Sequence, residues 1–382
     1  MKVSTQHICK LPRTVDSNAY FASIIFRRYP RNKTKRTGSA QADPVLFLLV
    51  DFPPDSHSLL ARYTSIISGV GLLDLGSCQA GFSRPNTIPI DNPNIVAFMV
   101  WQRVCIIGVG LLGGSIGLAL KRKRLAETVV GVGRTISKLD TALARGAIDL
   151  ATDDILAGAK EADLIIACTP VQSIVDSLQV AASVAQPNAI LTDVGSTKQT
   201  IIRAAKGRLS PSQFIGSHPI AGGHHSGVEH AVGTLLDGAL VVITPAEDTL
   251  PELVTRMIGF WESMGSRTCC LSPRDHDEAL ATASHLPHMV ASALAMATAP
   301  EILQFVGKGW MDSTRIAASN TQMWRQILEE NHAPALQAMK NFATICASWV
   351  EALEKSDFDR IEQLLKAGKA TREAVASRYS SG

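Results

Sequence analysis

The first 98 residues contain no glutamate and none of the five tryptophans of this 382-residue chain. They hold 11 Lys/Arg against 6 Asp, a formal +5, and 8 of the 18 prolines. The remaining 284 residues hold 26 Lys/Arg against 28 Asp/Glu, so the overall charge of +3 averages two different polypeptides. Cysteine is also scarce. The seven are scattered, odd in number and without a CxxC pair, which argues against a disulfide framework and for a reducing compartment. No apolar run reaches 18 residues, so a membrane-spanning helix is not expected. With 46% apolar and 19% charged residues, global disorder is excluded, and the length suggests two to three domains.

The basic, proline-broken segment 1–98 reads as a disordered leader or as a stretch outside the natural protein, with translation beginning at Met99. An organelle transit peptide or a nucleic-acid-binding arm are the alternatives. The cytoplasm is the expected location, an organelle if the leader is a genuine transit peptide. After Met99 the pattern becomes regular. Short apolar runs at 104–109, 129–132, 164–168, 190–194, 214–217 and 240–244 alternate with helical segments, which predicts a mostly parallel sheet covered on both faces. Beyond about Ser272 the strand signal stops, and 275–299, 311–330, 333–353 and a segment from Asp357 read as helices. The expected organisation is a leader (1–98), an α/β Rossmann-like dinucleotide-binding domain (99–272) and an all-helical domain (273–382).

Gly108-Val109-Gly110-Leu111-Leu112-Gly113 is G-x-G-x-x-G between a strand and a helix, the context that makes this motif informative. It provides a tight turn, close backbone approach to a pyrophosphate, and helix amides facing its charge. The second strand ends in Gly133-Arg134-Thr135, with no acid to accept hydrogen bonds from the ribose hydroxyls. Arg134 favours NADP through charge-assisted bonds to a 2′-phosphate, with NAD the alternative.

Three further segments are rich in polar residues. Asp193–Lys198 (DVGSTK) follows a strand, so Ser196 either faces the ligand crevice or caps a helix. Gly216–Gly227 places His218 before Pro219 and a glycine-rich loop, as a base or as a structural histidine. Arg315, read at a helix start, is an anion clamp or a surface charge, and the segment runs on to Trp324.

Together, GVGLLGGSIG (108–117), DVGSTK (193–198), GSHPIAG (216–222), SGVEHA (226–231), SHLPH (284–288) and 315–324 closely resemble the prephenate/arogenate dehydrogenase family of tyrosine biosynthesis. The order and spacing hold from about 103 to 350. The resemblance implies NAD(P)-dependent oxidative decarboxylation of prephenate to 4-hydroxyphenylpyruvate. Arogenate, or both substrates, is the alternative. It implies His218 as base, near its ordinary pKa, with Ser196 holding the reacting hydroxyl, and Arg315 binding a substrate carboxylate. His285, His288, His224 and Trp324 fall near the substrate, Trp324 reading equally as a core aromatic. The cofactor set is Gly108, Gly110, Leu111, Leu112, Gly113, Arg134, Thr169, Asp193 and Lys198. A homodimer built on the helical domain is also implied. His224 stands at or near the place where family members often carry an acid, which favours prephenate.

Other readings are weaker. The histidines lack an HExxH motif or a carboxylate or Cys at zinc-ligand spacing, so no metal is expected. A β-hydroxyacid-type dehydrogenase or a non-enzymatic NADP-sensing protein would keep the glycine motif without needing His218, Ser196 and Arg315 together. A nucleic-acid partner is not expected, because the basic cluster lies outside the folded part and lacks interleaved aromatics.

Overall fold

The computed structural model describes residues 100–222 and 227–379. The expectations placed on residues 1–98, on Met99 as a start and on His224 lie outside the described residues.

The first half is an α/β layer structure. Its strands are β1 (Trp101–Ile107), β2 (Ala126–Val132), β3 (Leu150–Thr152), β4 (Leu164–Ala167), β5 (Ile190–Asp193), β6 (Phe214–Pro219), β7 (Leu240–Thr244) and β8 (Arg267–Cys270). They form one sheet of order β3-β2-β1-β4-β5-β6-β7-β8. The first six run parallel, β7 is antiparallel to β6, and β8 is parallel to β7. The interleaved helices are α1 (Leu111–Lys123), α2 (Ile136–Ala144), α3 (Ile155–Ala159), α4 (Val171–Ala182), α5 (Gln199–Ala205) and α6 (Pro251–Ser263).

Why the central strands read as unbroken apolar runs is clear from their packing. Side chains alternate across a strand, so burial on both faces removes any polar position. Val104 and Ile106 join one core with Ile116, Leu120, Met257 and Trp261. Cys105 and Ile107 join the opposite core with Ile174, Leu178 and Ile201. Burial raises the Cys105 thiol to about 12, which suits a packing residue rather than a nucleophile. Order reverses between β1 and β4, and such switch points open a crevice beyond the strands' carboxyl ends.

The strand pattern of the sequence missed β3 and β8. β3 has three residues at the sheet edge, with Leu150 exposed, and β8 is Arg-Thr-Cys-Cys at the other edge. Neither edge is buried enough to need an apolar run.

The second half is helical. α7 (Pro273–Leu280) passes through a π-helical turn (Ala281–His285) into α8 (Leu286–Met296). The sequence predicts an uninterrupted helix here. The wider turn lies just ahead of Pro287, which has no N–H for the carbonyl four residues back and whose ring would collide with it. A 3₁₀ segment (Pro300–Phe305) precedes α9 (Lys308–Thr314). The helix expected over 311–330 is broken. α9 gives way to a 3₁₀ turn (Arg315–Ala318), and α10 (Thr321–Glu330) begins anew where Asn320 Oδ1 accepts the Met323 N–H at 2.9 Å. An Asn side chain that satisfies a first-turn amide starts a helix rather than continuing one. Arg315 therefore stands at a helix end, not at the start that the sequence suggested.

α11 (His332–Glu354) and α12 (Phe358–Tyr379) form a hairpin. Ile345, Val350, Leu353, Phe358 and Leu365 on it are 53–72% exposed, so the single chain leaves this apolar surface uncovered. Among the described residues, no helix is long and apolar enough to cross a membrane.

Candidate active site

Four loops leave the carboxyl edge of the parallel strands side by side. The β1 loop carries Gly108–Gly113, the β4 loop Thr169, the β5 loop Ser196, and β6 ends with His218. Gly108 has φ +97°, and a Cβ there would lie 2.7 Å from the Cys168 carbonyl oxygen, so only glycine fits. Gly113 lets α1 press on the turn, since its Cβ would meet the Gly108 oxygen. Nothing lies within 4 Å of a Cβ at Gly110. That open space above the first amides of α1 is a cradle into which a pyrophosphate fits and a side chain would intrude. Leu111 and Leu112, in the first turn of α1, are partly exposed. Thr169 Oγ1 is buried without a protein partner in the adjoining loop. Arg134, Thr135, Ser137 and Lys138 are all exposed past the end of β2.

Asp193 and Lys198 are both fully buried, and Lys198 Nζ donates to Asp193 Oδ2. Asp193 also accepts the amides of Gly195 at 2.8 Å and Ser217 at 3.3 Å. These contacts shape the β5 loop and engage both side chains within the protein. Burial lowers the Lys198 pKa, and the Asp193 carboxylate opposes that shift.

His218 is partly exposed, and its Nδ1 lies 2.8 Å from His276 Nε2. His276 Nδ1 lies 2.8 Å from Asp277 Oδ1. The same carboxylate accepts the amides of Lys198 at 2.8 Å and Gln199 at 2.9 Å, capping α5 from the helical half. Asn331 Nδ2 donates to the Asp277 carbonyl at 2.7 Å and meets His285 Nδ1 at 3.1 Å. Beyond it, His288 stacks on Trp324, with ring centroids 3.5 Å apart. The turn carrying Arg315 packs against α8, the helix bearing His288.

The geometry thus gathers His218, His285, His288 and Trp324. The sequence reading missed His276, Asp277 and Asn331. His276 and Asp277 sit in Pro-Arg-Asp-His-Asp-Glu, which resembles a solvated first helical turn. The available signal was spacing. His276 and Asp277 lie four residues before Leu280 and Ala281, which puts all four on one buried face. Among the described residues no three His, Cys, Asp or Glu side chains converge as metal ligands.

Burial pushes the His218 pKa well below its ordinary value, helped by neighbouring His276, Lys198 and His285. The expectation of a near-normal imidazole gives way to one that stays neutral below the usual histidine range. A group of this kind accepts a proton from a substrate only while its surroundings compensate the positive charge.

A family model described as prephenate dehydrogenase, nucleotide-binding domain, matches residues 116–270, and a second, prephenate dehydrogenase, dimerization domain, matches 272–367. A prephenate dehydrogenase of Bacillus subtilis is 32% identical, covering 72% of this chain and 76% of that protein. A cyclohexadienyl dehydrogenase of Zymomonas mobilis is 29% identical, covering 73% and 98%. The structure of A. aeolicus prephenate dehydrogenase with hydroxyphenyl propionate and NAD+ superposes with a TM-score of 0.67 at 30% identity, covering 72% and 98%. That of Synechocystis arogenate dehydrogenase gives 0.63 at 29%, covering 71% and 99%.

The histidine cluster makes stability depend on pH. Burial holds His285 down to about 4 from 6.5, against the pull of Asp277, and lowers His218 and His276 as well. As pH falls below 6.5 the unfolded chain takes up protons that the folded chain refuses, so folding stability declines. Each histidine that stays neutral contributes up to about 1.4 kcal/mol per pH unit. Urea unfolding midpoints are expected to drop between pH 6.5 and about pH 5, less steeply in His285→Gln. A flat profile across that window in the wild type would contradict this account.

Proposed function

The chain belongs to the prephenate dehydrogenase family, and on that premise we propose that its cleft converts prephenate to 4-hydroxyphenylpyruvate, with His218 as the base. The enzyme is an NAD(P)-dependent dehydrogenase that couples oxidation to decarboxylation. The observation that carries the assignment of His218 is its engaged Nδ1 at the carboxyl edge of the same sheet whose β1 loop forms the glycine cradle. When bound, the nicotinamide supplies the acceptor for the hydride from the hydroxyl-bearing ring carbon, while the opposite carbon loses CO2. His218 Nε2 takes the hydroxyl proton and returns it to the phenolate oxygen once the ring is aromatic. The proton is borrowed and none is released overall. Ser196, in the β5 loop beside the β6 strand, orients the hydroxyl. Arg315 clamps a substrate carboxylate, where a planar fork of donors suits two oxygens. His285, His288 and Trp324 wall the ring.

His224, in place of the family's common acid, favours the carboxylate side chain of prephenate over the amino-bearing one of arogenate. We place the division between the two halves at 272/273. The cofactor preference we assign is NADP. Arg134 and Lys138 offer two cations past β2, and of the two acids after the neighbouring β3, Asp154 is already committed to the Leu156 amide. Asp153 is what would serve NAD instead.

The test is reduced-nicotinamide absorbance with prephenate or arogenate and either cofactor. Prephenate is expected to turn over faster, and no reduction in any combination would defeat the proposal. His218→Asn is expected to lower kcat by about 10²- to 10⁴-fold. Arg315→Ala is expected to raise substrate KM by about tenfold or more, the loss of a charge-assisted hydrogen bond. For Arg134→Ala, NADP affinity should fall by about tenfold and NAD affinity hold, by the same loss. Equal losses would count against the NADP assignment. The exposed apolar side chains of α11 and α12, within the match to a dimerization domain, support a homodimer. Sedimentation at micromolar concentration should give twice the chain mass, and Leu353→Asp should shift it toward one. A wild-type monomer would overturn the dimer.

A further inference from the structure

His276 and Asp277 are 0% and 1% exposed, so neither can touch a substrate, yet they continue in a line behind His218. Each hydrogen bond in that line fixes the next. Asp277 Oδ1 accepts the Lys198 amide and Oδ2 the Gln199 amide, so the carboxylate is an acceptor whose orientation is set by backbone. Its bond to His276 therefore takes the proton of His276 Nδ1. A neutral imidazole carries one N–H, so His276 Nε2 is bare and accepts. The atom it faces, His218 Nδ1, must then be the donor. The only bare nitrogen left on His218 is Nε2.

We propose that His276 and Asp277 are positioning residues that hold His218 as its Nδ1–H tautomer, keeping Nε2 as the base, and that they stabilise the imidazolium while it carries the substrate proton. The inference rests on the reading of His218 as base. It explains how a histidine among other histidines and the Lys198 ammonium can take up a positive charge. The imidazolium donates through Nδ1 to a neutral ring, and that ring donates to a carboxylate. No proton needs to travel along the line, because the reaction returns the one it borrows. A purely structural role, with Asp277 capping α5 and His276 filling space, makes a different demand: packing without a fixed tautomer.

The experiment combines nitrogen NMR with two substitutions. Two-bond proton–nitrogen correlations report which ring nitrogen carries hydrogen, and the His218 signals are those lost in His218→Asn. In the wild-type protein at neutral pH, His218 is expected as Nδ1–H. His276→Leu removes the acceptor, and His276→Gln retains a carbonyl oxygen that can accept from Nδ1. The leucine variant is expected to lose about 10²-fold or more in kcat, the usual worth of a correctly protonated base. Substrate KM and cofactor Kd should stay within about threefold, because the loss is felt in the transition state. The glutamine variant should recover part of kcat.

An Nε2–H His218 in the wild type, or a leucine variant within about threefold of wild-type kcat, would overturn the inference. The NMR result decides the matter even if His276→Leu fails to fold. Full activity of His218→Asn would instead defeat the reading of His218 as base, so the two failures are distinguishable.

Discussion

The carboxylate of Asp277 receives two backbone amides of one half of the protein and the imidazole of His276 in the other. Hydrogen bonds to a charged group each contribute about 1.5–3 kcal/mol, and a buried carboxylate deprived of them is costly. The first turn of α5 cannot move relative to α7 without breaking them. Because α5 follows the loop that carries Ser196, and α7 leads through the π turn to His285, the same residue ties the positions of these two segments together. Asn331, bonded to the Asp277 carbonyl, extends this control to the start of α11.

The buried Asp193–Lys198 pair works alongside it. Such a pair gains little net stability, since desolvating two charges offsets most of their attraction. Its value lies in geometry. Asp193 spends one oxygen on Gly195 and Lys198, and the other on Ser217, so the loop after β5 is tied to β6 just before His218. Trp261 adds a donor to Ser217 Oγ, which also meets Thr192 Oγ1. The strand end that holds His218 is thus constrained from three sides.

How much of this was legible in the sequence depended on whether a residue's role is local. The glycine motif was readable because its spacing alone dictates the turn, and the central strands because burial on both faces leaves an apolar run. The edges β3 and β8 were not, since they are short and half-solvated. Pro287 and Asn320 carried the signals for a widened turn and a helix restart, yet both sit in apolar periodicity that suggests continuation. The burial of Asp193 and Lys198 was not legible, because a charged side chain near a strand end looks like a ligand contact until its surroundings are known. His276 and Asp277 were invisible for a related reason: their partners are 58 to 79 positions away in sequence.

The π-helical turn at Ala281–His285 acts as a rotational phase shifter. In a strict α-helix, His276 and His288, twelve residues apart, would point about 120° away from each other around the axis. A turn that closes on the fifth residue instead of the fourth advances less angle per residue, and so takes up part of that difference. Two histidines separated by more than three turns are thereby brought toward one side of a single rod. Winding the same residues as a strict α-helix would instead swing His288 and the rest of α8 around the axis by about 100°, away from the rings behind His218.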